Sequence, residues 1–225
     1  MSRSVLLVIA LCATASLAQK PAITFKAPPA SEEDRPLITE IVVGPQGSDY
    51  AFKIEFNKEP WGDGCSTRCA NATIFLDTDN NKTTGLKLKD PKALESGADL
   101  SITIQGTKVY RESSSRSVLK VLVRQYAEDS TEVEQGRQLA ELDAVQDSDR
   151  VLAQGTSVYL LIDANIGDLP TATKARVIYH PPESKALVGN VQGLLAGGGN
   201  HVELFKDGKL SNPVKKKKKT DYEKL

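Results

Sequence analysis

The chain is poor in the residues that most protein chemistry draws on. It has one methionine (Met1), one tryptophan (Trp61), two histidines and three cysteines in 225 residues, and aromatics make up 5%. Only His180 and His201 can act as imidazole bases. Neither lies in a Gly-x-Ser-x-Gly or His-Glu-x-x-His arrangement. His180 stands beside two prolines and His201 just past a glycine run, so both read as surface or loop residues. Paired carboxylates can hydrolyse a glycosidic bond, but Asp77 with Asp79, and Asp147 with Asp149, have the spacing of turn residues. The expectation is a protein that is not an enzyme. No apolar run after the N-terminus approaches the ~18 residues of a membrane span, so no transmembrane segment is expected.

What is present begins with an export signal. Arg3 supplies a positive start, Val5 to Leu11 a short apolar stretch, and Ser16-Leu17-Ala18 the small residues that a signal peptidase reads. Residues 1–18 are expected to be removed before Gln19, leaving the protein periplasmic or extracellular. Cys12 follows Leu11, where a lipid-attachment site expects a small residue. Cys65 and Cys69 then remain, in a compartment that permits a disulfide. Such a bridge closes a short loop, so its entropic effect is below the ~3 kcal/mol of a 15-residue loop. Its main role is to pin Trp61-Gly62-Asp63-Gly64. A C-x3-C zinc half-site is the alternative, but it has no second cysteine pair and no neighbouring histidine.

Charge is segregated along the chain. Residues 19–205 carry 20 basic and 26 acidic residues, whereas residues 206–225 hold eight lysines and three acids. Residues 19–36 contain four prolines and Glu32-Glu33-Asp34, the composition of a linker. A period of two follows. Tyr50, Phe52, Ile54 and Phe56 alternate with Ala51, Lys53, Glu55 and Asn57, and Leu100, Ile102 and Ile104 do the same. Similar strands are predicted at Leu37–Val43, Thr73–Leu76, Lys108–Arg111, Val118–Tyr126, Ser157–Asp163 and Lys174–His180. The spacing of Leu139, Leu142 and Val145 fits a helical face as well as a strand, and a strand or irregular segment is preferred. Val191–Leu195 and His201–Phe205 flank Gly197-Gly198-Gly199 as a candidate last hairpin. Many short strands divided by turn residues predict an all-β antiparallel β-sandwich of one domain over residues 37–205. A disordered linker precedes it, and a disordered Lys-rich tail, residues 206–225, follows.

The densest chemistry lies at Asp77-Thr78-Asp79-Asn80-Asn81-Lys82-Thr83-Thr84-Gly85 and Gly97-Ala98-Asp99. Asp77, Asp79 and Asn81 alternate just past a strand, a spacing that turns several oxygens toward one point, and calcium takes six to eight oxygens. The rest of an EF-hand loop is missing. Lys82 stands where glycine is needed and Leu88 where the bidentate Glu belongs. A calcium loop of another kind, with Asp99 as a ligand and Thr83 or Thr84 as weaker ones, is one reading. A metal-free turn held by Asx hydrogen bonds is the other.

Strand, Asp-x-Asp-Asn-Asn, Thr-Gly, then Gly-Ala-Asp opening the next strand resembles bacterial exported β-sandwich domains of the DOMON and family 9 carbohydrate-binding-module group. The match covers residues 73–104. The resemblance implies a jelly-roll-like sandwich and extracytoplasmic binding of sugars, haem or other ligands. Haem-binding members use Met and His as axial ligands. The only methionine here is Met1, inside the expected signal, so no haem is expected. Sugar-binding members stack substrate on aromatic rings, which makes Trp61 the candidate ligand-binding residue. A half-buried structural Trp61 is the competing reading.

Five consecutive lysines, Lys215, Lys216, Lys217, Lys218 and Lys219, form a candidate surface for an anionic polymer or membrane face, through salt-sensitive charge pairing. No aromatic residue interleaves them, so nothing supports specific nucleic-acid binding. A solvated tail that aids solubility is the plainer reading. The functional expectation is an exported, non-catalytic binding module of the cell envelope, with a glycan as candidate ligand and a structural calcium site. The alternative is a structural or assembly protein of the envelope that binds another protein through a sheet face or edge.

Overall fold

The computed structural model describes residues 23–24, 35–46, 49–62, 69–87, 97–111, 114–163, 174–179, 187–192, 205–206 and 209–210. Several sequence expectations fall outside these residues: the export signal at 1–18, Cys65 and both histidines. The candidate anionic-surface lysines Lys215, Lys216, Lys217, Lys218 and Lys219 also lie outside them.

The chain folds as an all-β protein of two antiparallel sheets. One sheet has the strand order β1 (Ile23–Thr24), β2 (Ile38–Gln46), β3 (Asp49–Phe56), β9 (Ser157–Asp163), β8 (Val151–Gln154). The other has the order β11 (Leu187–Gln192), β10 (Lys174–Tyr179), β4 (Asn71–Asp77), β5 (Leu100–Arg111), β6 (Ser114–Gln125), β7 (Arg137–Asp143). A separate pair joins β12 (Phe205–Lys206) to β13 (Lys209–Leu210).

The core forms because alternation puts one apolar row of each strand on the inner face. From the first sheet come Ile41, Phe52, Ile54 and Leu160. Ile74, Ile102, Val121 and Val177 come from the second, and all join one buried cluster. Burying a side chain of this size stabilises by about 1.5–3 kcal/mol relative to leaving it in water. Tyr179 on β10 fixes the two sheets together, its hydroxyl accepting a hydrogen bond from the Ile38 backbone N–H at 3.3 Å. A buried phenol needs such a partner.

Several elements differ from the sequence reading. Ile23–Thr24, inside the stretch read as linker, pair with Ile41 and Glu40 of β2. The two predicted strands at Leu100–Ile104 and Lys108–Arg111 are one strand, β5, running through Gly106. By contrast, the segment at Leu139 is strand β7, in line with the strand or irregular segment preferred there. The candidate last hairpin of Val191–Leu195 with His201–Phe205 lies for the most part outside the described residues. β11 pairs with β10, through Leu187↔Tyr179 to Gln192↔Lys174, and Phe205–Lys206 pair with Lys209–Leu210. The last pair also places Lys206, Lys209 and Leu210 of the expected tail in strands.

Candidate metal centre on the outer face

The site arises from the odd residues of β4. Ala72, Ile74 and Leu76 point into the core, so Phe75 and Asp77 point to the outer face of the second sheet. The register with β10 sets Ile178 opposite Phe75 and Arg176 opposite Asp77. An outer face is ordinarily wet, yet all four residues are buried. The connection after β4 folds back over them. Leu86 and Ala98 form an isolated bridge, with Leu86 N–H donating to Ala98 O at 2.7 Å and Gly97 N–H to Leu86 O at 3.1 Å. Leu86, Ala98, Tyr126, Phe75 and Ile178 make a second small core, flanked by Val133. Lys87 N–H donates to Ser130 O at 2.8 Å and ties in the segment after β6.

Two glycines permit this closure. A side chain at Gly85 (φ +64°) would place its Cβ 2.2 Å from Ala98 O. One at Gly97 (φ +104°) would stand 2.7 Å from Asn81 O and 2.9 Å from an Arg176 guanidinium nitrogen. The backbone contacts are below any tolerable separation, so Gly85 and Gly97 are fixed by close approach as well as by their left-handed backbone.

One carboxylate oxygen from each of Asp77, Asp79 and Asp99 lies within 4.8 Å of the others. Asp77 is fully buried and Asp99 is 4% exposed. Asp77 Oδ2 accepts from Arg176 Nε at 2.6 Å and from a second guanidinium nitrogen, while its Oδ1 accepts Asn81 N–H at 3.1 Å. Asp79 Oδ1 accepts the same N–H at 2.8 Å, and its Oδ2 accepts Thr84 Oγ1–H at 2.9 Å. Asp99 Oδ2 takes both Thr78 donors, N–H at 2.7 Å and Oγ1–H at 2.8 Å. Asn80, at φ 57°, makes the left-handed turn that brings Asp79 round. Asparagine tolerates that conformation better than most residues.

Crowding shapes the protonation of these groups. Burial pushes the Asp99 carboxyl up to about 6, with the charges of Asp79 and Asp77 adding to it and the Thr78 hydrogen bonds opposing it. Asp77 is also raised, first by burial and then by its hydrogen bond with Asp79, against the pull of Arg176.

The arrangement fits a divalent cation in size and charge. Calcium holds oxygens at about 2.3–2.6 Å, so two of its ligands lie no more than about 5 Å apart. The three carboxylates meet that limit. Fully ionised they carry three negative charges against the single positive charge of Arg176, an excess that one divalent ion cancels. Water and backbone carbonyls would have to supply the remaining oxygens.

Of the residues predicted as ligands, Asp77, Asp79 and Asp99 come together. Asn81 contributes its backbone N–H instead, because its side-chain Oδ1 accepts from Thr83 N–H at 3.1 Å and Thr83 Oγ1–H at 2.8 Å. Thr84 joins the network through Asp79, whereas Thr83 bonds Asn81 alone among the described turn residues. Arg176 and Thr78 were not foreseen. Thr78 stands between two acids in the turn, where its side chain could have been read as a cap for Asp99. No local signal marks Arg176.

Trp61 is half-buried and packs against the main core rather than the small outer-face core. Its loop is fixed at the base by Ala70 N–H to Pro60 O and Gly106 N–H to Ala70 O, each 2.8 Å. Asp147 closes the turn after β7, accepting Asp143 N–H at 2.7 Å. Among the described residues no helix is long and apolar enough to cross a membrane. Comparison with protein-family models, curated proteins and solved structures finds no match to the chain.

Proposed function

We propose that this chain is an exported, non-catalytic binding module of the cell envelope whose Asp77–Asp79–Asp99 centre holds a structural calcium ion. The observation that carries the calcium reading is the convergence of three carboxylates, two of them buried, from the end of β4 and the start of β5. An ion there bridges the turn to the strand and holds the connection against the outer face. Isothermal titration of the exported protein with calcium tests this reading. Saturable heat that vanishes in Asp79→Ala supports it, and no heat in the unaltered protein rejects it.

A glycan as ligand, with Trp61 as the ring that receives it, rests on the resemblance of residues 73–104 to the DOMON and family 9 carbohydrate-binding-module group. The Cys65–Cys69 disulfide belongs to the same reading and is supported by Cys69 being disulfide-bonded. Lys215, Lys216, Lys217, Lys218 and Lys219 complete it as a tether to an anionic envelope polymer or membrane face, and the charge run itself is what supports that part. A glycan array probed with the protein and with Trp61→Ala separates a sugar ligand from none.

One observation favours the assembly reading. β4 pairs with β5 only as far as Gln105, and β7 with β6 only as far as Lys120, while β5 and β6 continue together to Arg111 and Ser114. Among the described strands this ribbon has both edges unpaired, and unpaired edges are templates for strand addition by another chain. A pull-down from envelope extract that loses its partner when residues 107–118 are shortened supports this reading over the glycan one.

A further inference from the structure

We propose that Asn81 is an acceptor for an N-linked glycan, an inference that rests on the reading of the chain as exported. Asn81-Lys82-Thr83 is an Asn-x-Thr acceptor sequence, which marks a surface position in a secreted protein. All three residues are exposed. The acidic turn uses only the backbone of Asn81, whose N–H serves Asp77 and Asp79. Its side chain is not drawn into the centre. Thr83 holds Oδ1 through its N–H at 3.1 Å and its hydroxyl at 2.8 Å, so Nδ2 is the end of the amide left for chemistry.

A second such sequence, Asn71-Ala72-Thr73, is arranged differently. Asn71 is exposed at the start of β4, but the Thr73 hydroxyl bonds Thr103 Oγ1 at 3.0 Å. The acceptor residues at 71 and 73 are therefore built into the sheet, whereas those at 81 and 83 stand in a turn. Turns are the more accessible to an enzyme.

The donor is a lipid-linked oligosaccharyl diphosphate, and the enzyme is an oligosaccharyltransferase of the export pathway. The Asn81 Nδ2 forms a bond to the anomeric carbon. The bond from that carbon to the diphosphate oxygen breaks, and the lipid diphosphate leaves. Nδ2 gives one proton to a base of the transferase. No oxidation or reduction occurs. The glycan would project from the turn beside the acidic centre without replacing any of its hydrogen bonds.

The test is production in glycosylating secretory cells, once with residues 1–18 and once with a foreign export signal ahead of residue 19. Secretion of the first form reads on export alone. The second form reads on the acceptor whatever residues 1–18 do. Its expected state is a glycosidase-sensitive mass increment, mapped to Asn81 by the aspartate that enzymatic release leaves there. Asn81→Gln and Thr83→Ala lose the increment, while Thr83→Ser and Asn71→Gln keep it. If Asn81→Gln is not secreted, the peptide map of the unaltered protein decides the question. Secreted protein with Asn81 unmodified, or an increment that disappears only in Asn71→Gln, overturns the proposal.

Discussion

Arg176 donates two guanidinium nitrogens to one oxygen of Asp77 across 99 residues of sequence, with Nε at 2.6 Å. The ion pair is buried on both sides, Arg176 being 5% exposed and Asp77 not at all. Cutting one partner from such a pair strands the other charge in low dielectric, at a cost of about 3–5 kcal/mol. Arg176→Met should therefore lose about that much in urea unfolding with chelator present. Calcium should restore part of the loss, because it supplies positive charge at the same carboxylate. A loss below about 1 kcal/mol, the size of an exposed pair, would show that the guanidinium is not the charge that balances Asp77.

Asp79 separates the cation reading from the turn reading. In chelator, Asp79→Ala forfeits its bonds to Asn81 N–H and Thr84 Oγ1, each worth about 0.5–1.5 kcal/mol. With calcium at about 100 times its dissociation constant, the unaltered protein should gain about 2.7 kcal/mol by mass action, and the variant should not. Identical melting curves for the unaltered protein in millimolar calcium and in excess chelator would reduce the centre to a hydrogen-bonded turn.

The sandwich was legible because period-two patterning survives in β3, β5 and β9, where Phe52, Ile102 and Leu160 each alternate with residues of the outer face. The acids were legible because Asp77 and Asp79 alternate where β4 ends, and Asp99 stands just before β5. Arg176 was not. Its partner is chosen by the register of β10 against β4, which no local pattern encodes. The second small core was hidden for a related reason. Phe75 and Ile178 look like additional core residues, and only the fold-back of Leu86 and Ala98 explains why they are buried although they lie on the outer face. Val191 and Gln192 pair with Ala175 and Lys174 of β10, a long-range partner that local pattern does not encode either.

Acidity should act on the centre in opposite directions with and without the ion. Asp99 titrates at about 6 in the folded protein against an ordinary value of 3.8. The folded state therefore holds a proton that the unfolded state releases between those values, and stability without metal should fall as pH rises from about 4 to 6. Calcium requires the ionised carboxylate, so its added stability should grow over the same interval. Melting temperatures at pH 5 and pH 7 check both signs. A chelated protein that melts higher at pH 7 than at pH 5 would place the buried proton elsewhere.

The closure of the connection over the outer face can be read from two glycines with nearly the same backbone. Gly85 has φ +64° and Gly155, in the turn between β8 and β9, has φ +59°. Alanine at either position pays the left-handed penalty of about 1–2 kcal/mol. At Gly155 nothing lies within 4 Å of the added Cβ, whereas at Gly85 it falls 2.2 Å from Ala98 O. Gly85→Ala must therefore also break the Leu86–Ala98 bridge or push Ala98 away, and Asp99 moves with Ala98. The expected result is a larger stability loss than for Gly155→Ala, together with weaker calcium binding, while Gly155→Ala leaves calcium affinity unchanged. Equal losses in both variants, with equal affinity, would mean that the bridge does not position Asp99.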